Sequence, residues 1–229
     1  MNYLFKIVEG FIINEGAIFS MSQTEYRKQD YWERRFQTED QFEWLQTWES
    51  CGDSVKKLLG NFTNKILIIG SGTSDFGWQI YNSGWENVTN VDFSPTVIEN
   101  MQVKYENCPK MKWIQQDCRE MNELHSQSFD VVLDKSTLDA ISCGGASETI
   151  KATTEVHRVL KKGGKYLIIT YSRFRLEDFI GEENVNRELR HGENNLWSCQ
   201  ECVLLNGPDD NGSLSLPSNF HYLYVVVAK

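Results

Sequence analysis

The sequence predicts a doubly wound α/β fold: a seven-stranded, mostly parallel sheet with an antiparallel C-terminal strand. Three observations carry that expectation. Between residues 65 and 170, short β-branched runs alternate with amphipathic helical stretches, the pattern of a parallel sheet covered by helices on both faces. The first of these runs ends in glycines, as a buried strand turning sharply into a helix requires. The chain then closes on two strand-like runs, 196–205 and 221–228, joined through Gly207-Pro208-Asp209-Asp210-Asn211-Gly212. That connector has turn chemistry and is too short for a crossover helix, so the last strand should run antiparallel beside its predecessor.

The elements follow in order. Residues 1–20 are mildly apolar but carry Glu9 and Glu15 and lack a basic start ahead of a clean apolar stretch. They read as an N-terminal extension, of a composition compatible with disorder, to a domain spanning 21–229 and not as a signal peptide. Residues 26–59 read as helical and are rich in aromatics: Trp32, Phe36, Phe42, Trp44 and Trp48. Strands are predicted over 65–69, 87–92, 111–116, 129–133 and 165–170. Ser94 and Pro95 supply an N-cap and a first-turn proline for a helix bearing Val97, Ile98, Met101 and Tyr105 on one side. A second long helix is predicted over 148–162, with Ile150, Val156, Val159 and Leu160 towards the sheet and Gly163-Gly164 as its stop. The charged stretch 173–195 is a candidate lid or a solvated connection.

Charge and cysteine usage narrow the function classes. The formal net charge is −9, which opposes a nucleic-acid backbone as the main partner, because phosphate binding needs a cationic surface. No run approaches the ~18 apolar residues of a membrane span, so no membrane association is expected. Of six cysteines, only Cys199 and Cys202 form a C-x-x-C, and a regular strand there would turn them to opposite faces. No zinc site follows, and no metal is expected. Reduced cysteines suit a cytoplasmic protein.

In open α/β sheets a ligand binds beyond the carboxyl ends of the strands, where strand order reverses. Gly70-Ser71-Gly72 follows strand one; its small residues let a ligand approach the backbone, though tight turns also need glycine for steric reasons alone. The third glycine of this loop, Gly77, falls two residues late for a G-x-G-x-x-G phosphate loop. Asp92 closes strand two, 22 residues after Gly70, and can accept both hydroxyls of a ribose or else cap the following helix. Asp117 ends strand three, where it can accept from an exocyclic amine of adenine or serve a turn. Asp134 and Lys135 end strand four, beside the place of any transferred group.

The segment Asp134-Lys135-Ser136-Thr137-Leu138-Asp139-Ala140 resembles the D/E-K-G-T-L-D-A signature of methyltransferase-like proteins that modify lysine in translation elongation factor 1-alpha. Tyr31-Trp32 with Phe36, Phe42-Glu43-Trp44, Asn90-Val91-Asp92-Phe93-Ser94 and Phe220-His221-Tyr222-Leu223-Tyr224 agree, so the resemblance runs from about residue 26 to the C-terminus. It implies a Rossmann-like class I fold that takes S-adenosylmethionine (SAM) as cofactor and a protein, elongation factor 1-alpha, as acceptor. It further implies that Trp32, Phe36 and Trp44 line the cofactor pocket and that Gly70, Asp92, Phe93, Asp117, Cys118 and Lys135 contact SAM. Aromatic rings suit a sulfonium cation and a flat base, although they also suit a helix-packing core, the role expected of Trp48. Two departures stand out: Gly70-Ser71-Gly72-Thr73-Ser74 replaces the usual G-C-G-N-S, and Ser136 replaces a glycine.

Asp134 and Asp139 are the acids expected to orient or deprotonate an acceptor amine, with a turn role as the other reading of Asp139. His157 and His221 read as structural or surface residues. Three other functions compete: an NAD(P)-dependent oxidoreductase, opposed by the glycine spacing and the terminal hairpin; a small-molecule methyltransferase; and a non-catalytic SAM-binding scaffold.

Overall fold

A computed structural model describes residues 23–173, 175, 196–206 and 220–229. The N-terminal extension 1–20, most of the charged stretch 173–195 and the connector 207–212 lie outside the described residues.

A 3-10 turn over Gln23–Arg27 leads into helix α1 (Gln29–Phe36), and a strap over 37–47 leads into α2 (Trp48–Leu59). Residues 26–59 are therefore two helices around an irregular strap and not one helical run. The strap ends where Thr47 caps α2, its N–H donating to Ser50 Oγ at 3.1 Å. The α/β core then runs β1 (Ile66–Ile69), α3 (Phe76–Asn82), β2 (Val88–Asp92), α4 (Pro95–Lys104), β3 (Lys112–Gln115), β4 (Phe129–Lys135), α5 (Thr137–Ser142), α6 (Ala146–Val159), β5 (Leu160–Thr170), β6 (Trp197–Asn206) and β7 (Phe220–Ala228).

The sheet order is β3-β2-β1-β4-β5-β7-β6. Strands β1 to β5 pair in parallel, and β7 runs antiparallel to both β5 and β6. The last strand is thus inserted between β5 and β6. Its composition explains this: Leu223, Tyr224, Val225, Val226 and Ala228 are buried, whereas Gln200, Glu201, Cys202 and Leu204 of β6 are exposed. The more apolar strand takes the position covered on both sides, and the more polar one forms the edge. Two cores flank the sheet, one beneath α2, α3 and α4, the other beneath α6.

Three local expectations are corrected. Helix α6 stops at Val159, because Leu160 is buried and pairs with Phe129 at the start of β5. Residues 161–164 then bulge before Lys165 takes up the register opposite Val131. Ile150 is 57% exposed; the sheet-facing stripe of α6 is Thr149, Ala152, Thr153, Val156 and Val159, one residue out of phase with it. In β6 a bulge at Gln200 puts Cys199 opposite Val226 and Cys202 opposite Tyr224, so the two thiols share one face.

Candidate active site

Strand order reverses between β1 and β4, and the cleft lies there, over the carboxyl ends of the strands. Its floor is the turn after β1. Gly70 and Gly72 both have left-handed φ, +54° and +51°. A Cβ on Gly70 would stand 2.3 Å from Thr137 Oγ1, which donates to the Ile69 carbonyl at 3.0 Å. A Cβ on Gly72 would meet only the Phe36 ring, at 3.8 Å, and would therefore intrude on the cleft itself. Glycine is needed at the first position by packing and at the second by the space a ligand would occupy.

Asp92, at the end of β2, lines the cleft and is 3% exposed. Its Oδ2 accepts from Gly72 N–H at 2.9 Å and its Oδ1 from Ser94 N–H at 3.0 Å. Each oxygen keeps a lone pair, so the group can still accept two hydroxyls. Burial pushes its pKa up to about 6, against the two backbone hydrogen bonds. Asp117 lines the cleft as well, but Arg119 grips it through Nε (2.9 Å to Oδ1) and Nη2 (2.5 Å to Oδ2). Burial would raise that carboxyl, yet the Arg119 hydrogen bonds prevail and hold it below its ordinary value. Phe93 and Cys118 complete this end; the Cys118 thiol is buried, and its pKa is pushed well up by desolvation.

The three charged residues at the end of β4 and the start of α5 divide their roles. Asp134 is fully buried and does not line the cleft: it accepts from Thr137 N–H at 2.8 Å, Leu138 N–H at 3.1 Å and the Tyr166 hydroxyl at 2.9 Å. Where the sequence suggested a catalytic acid, the structure has an acceptor for the start of α5. Lys135 lines the cleft, but its ammonium donates to Glu43 Oε2 at 2.8 Å and to the Trp44 carbonyl at 3.0 Å. Asp139 does face the cleft. Its Oδ1 accepts from Thr170 Oγ1 at 2.5 Å and from Arg175, and its Oδ2 from Tyr171 N–H at 3.4 Å. That long contact leaves Oδ2 with room for a further donor.

Ser136, which stands where the resembling family has glycine, has φ +70°. A side chain in that region costs about 1–2 kcal/mol, of which glycine's greater chain entropy offsets roughly 0.5–1 kcal/mol. Ser136→Gly is therefore expected to raise stability by up to about 1 kcal/mol, read as a higher urea midpoint at unchanged slope.

Trp32, Phe36 and Trp44 all line the cleft. Trp32 stacks on Phe36 (5.7 Å, 25°) and meets Trp44 edge to face at 5.9 Å. Trp48 lies outside it and packs edge to face on Phe76 at 5.2 Å, the core role expected of it. His221 is buried, and Gln46 Nε2 lies 2.8 Å from its Nδ1. Sequence reasoning missed Gln116 and Tyr171. Gln116 follows β3 and lines the cleft, and its buried amide has no partner among the described residues; the same is true of Ser71 Oγ. Gln116 adjoins Asp117 in the chain, the only signal that could have found it.

This geometry suits SAM: an open glycine turn, a ribose-type acid and an aromatic wall, with unpartnered polar atoms at its edge. A methyltransferase-domain family model matches residues 67–168. Methyltransferase srdJ of Neurospora crassa is 35% identical over 166 residues, covering 67% of this chain and 70% of that protein. EEF1A lysine methyltransferase 4 of Mus musculus is 31% identical over 182 residues, covering 73% and 70%. The human eEF1A lysine and N-terminal methyltransferase is 36% identical over 160 residues, 66% of this chain but 22% of that larger protein. Among solved structures, the N-methyltransferase NodS of Bradyrhizobium japonicum, in complex with S-adenosyl-L-homocysteine, superposes with a TM-score of 0.64 at 13% identity, covering 90% of this chain and 98% of that one. That likeness shows the fold. The protein is thus a class I SAM-dependent methyltransferase. Within that class, the chain belongs to the family of the eEF1A lysine methyltransferases.

Proposed function

We propose that this enzyme transfers methyl groups to lysine in a protein, with elongation factor 1-alpha or a similar protein as acceptor, in the cytoplasm. The observation that carries the reading is the run of relatives named for that acceptor across most of this chain. The acidic balance favours a basic protein partner over a nucleic acid, and all six cysteines are free thiols, as a reducing compartment requires. Among the described residues no helix is long and apolar enough to cross a membrane. The catalytic domain is proposed to begin near residue 21, with residues 1–20 outside it.

SAM supplies a methyl group on a sulfonium that is already a good leaving group. The chain's own work is then to bind, orient and exclude water, a positioning effect worth up to about 7–11 kcal/mol in favourable cases. Asp92 would accept the ribose hydroxyls, the turn Gly70-Ser71-Gly72 would approach through its backbone, and Phe93, Asp117 and Cys118 would enclose the base. Trp32, Phe36 and Trp44 would face the cation. Lys135 would hold the strap above it. A lysine acceptor must shed a proton, since ammonium has no lone pair. Desolvation in the cleft would lower its pKa, and Asp139 Oδ2 is the acceptor proposed to orient the amine.

The deciding experiment incubates the purified protein with labelled SAM and elongation factor 1-alpha, then maps the label. Label on a lysine supports the proposal. Label only on small molecules of a cell extract would establish the small-molecule reading, and tight SAM binding with no labelled acceptor the scaffold reading. Trp44→Ala is expected to weaken SAM binding roughly tenfold, the ~0.5–2 kcal/mol of one cation–π contact. Calorimetry and thermal melting check it; a lowered melting temperature at unchanged affinity would return Trp44 to the core.

A further inference from the structure

Within the strap over 37–47, the side chain of Glu43 ties the strap to both the glycine turn and the end of β4. Glu43 Oε1 accepts from the Asp75 N–H at 2.8 Å, and Oε2 accepts from the Ser74 hydroxyl at 2.7 Å and the Lys135 ammonium at 2.8 Å. The glycine turn, the end of β4 and the strap are thereby tied at one carboxylate. The Lys135 and Glu43 side chains are 6% and 18% exposed, so the pair is largely out of water. We propose that Glu43 is a positioning residue for methyl transfer: it sets the strap, with Trp44 and Leu45, down on the cleft and holds the glycine turn in register beneath it. The inference rests on the reading that this cleft holds SAM.

Two features argue for positioning over simple packing. Trp44 and Leu45, which directly follow Glu43, line the cleft, so where Glu43 is anchored decides where they stand. Leu45 also has φ +60°, and Gln46 N–H donates to the Trp44 carbonyl at 2.6 Å, closing a tight three-residue turn. A leucine in that conformation persists only where its surroundings over-determine it. Lys135 restrains the near side through the Trp44 carbonyl. The far side is restrained by Gln46, which contacts His221 Nδ1 at 2.8 Å and accepts from Ser50 Oγ at 2.5 Å. Without Glu43 the Lys135 ammonium is left buried and without its counter-ion, which favours its withdrawal and frees the near side of the turn. The other strap-to-turn contacts are Phe42 N–H to Thr73 Oγ1 (3.1 Å), Thr73 Oγ1 to Glu39 (3.0 Å) and Gln41 Nε2 to Asp75 Oδ2 (2.7 Å); the last holds only the Asp75 side chain, and none reaches the Ser74 hydroxyl, the Asp75 N–H or Lys135. They cannot replace the three-way tie.

The test compares wild type, Glu43→Ala and the double variant Glu43→Ala/Lys135→Met by SAM calorimetry, thermal unfolding and the change in tryptophan emission on adding SAM. Glu43→Ala is expected to raise the Kd for SAM at least tenfold and to lose the emission change. The double variant removes the uncompensated charge, so it should recover the unfolding midpoint but not SAM affinity, because the Ser74 hydroxyl and the Asp75 N–H remain without their acceptor. Recovery of wild-type SAM affinity in the double variant would show that Glu43 merely neutralises Lys135 and would overturn the inference. So would a Glu43→Ala protein that binds SAM like wild type. Should Glu43→Ala fail to fold, the double variant is compared with Lys135→Met alone: weaker SAM binding in the double variant supports the inference, and equal affinity in the two overturns it. A wild-type protein that does not bind SAM would instead overturn the cofactor reading, and this inference with it.

Discussion

Asp92→Ala is expected to weaken SAM binding by about a hundred- to a thousandfold while the sheet stays folded. Gly72 and Ser94 orient the carboxylate, and in the proposed role it accepts from two donors of the ligand. Hydrogen bonds to a charged group contribute about 1.5–3 kcal/mol each, and each 1.4 kcal/mol is a factor of ten. Gly72 borders the open cleft, where water can satisfy its N–H, and the buried Ser94 N–H that also loses its acceptor costs about 1–3 kcal/mol, which leaves the sheet folded. The pH dependence follows from burial, which raises the carboxyl to about 6. In the proposed role the ionised form accepts both hydroxyls, so affinity should be full above that value and fall below it. Between pH 7 and pH 5 the Kd should rise about tenfold, the change in ionised fraction for a group titrating midway. Asp92→Asn should be weak at both values and flat between them. An unchanged Kd in Asp92→Ala would remove this residue from the site.

Asp134→Ala acts on stability and should cost about 3–5 kcal/mol, since three buried donors lose their acceptor at once. That is a large share of the ~5–15 kcal/mol that holds a typical domain together. Burial raises this carboxyl to about 7 in the folded state, against the Tyr166 hydroxyl and two backbone donors. The folded state therefore binds the proton more tightly than the unfolded chain. Asp134's contribution to stability is complete below about pH 4 and is lost as pH rises through 7. Urea unfolding at pH 5 and pH 8 should show the wild type losing more stability over that interval than Asp134→Asn. If Asp134→Asn instead abolished methyl transfer with stability unchanged, the acid would belong to the chemistry after all.

Much of this fold was legible because its signals are local. A run such as Ile66-Leu67-Ile68-Ile69 is buried on both faces and needs no distant partner to be recognised as a central parallel strand. Ser94 and Pro95 open α4 as their types require, with Ser94 Oγ accepting from Val97 N–H at 3.1 Å. Misreadings came where one residue changes phase. Ile150 is apolar but lies beside the buried stripe, and the bulge at Gln200 turns the face of everything after it in β6.

By itself the sequence determined the class of fold, the strand-end acids and the turn at Gly70 and Gly72, because strand periodicity and backbone sterics are properties of neighbouring residues. Only the tertiary structure decided where each acid sits and which donors surround it. Asp92 and Asp139 face the cleft, Asp117 is shared with Arg119, and Asp134 serves the start of α5. A carboxylate's role depends on which donors surround it, and those donors come from residues 2 to 36 positions away along the chain. The strap over the cleft was likewise visible only as an aromatic-rich stretch; its fastening through Glu43, Lys135 and His221 joins positions that only folding brings together.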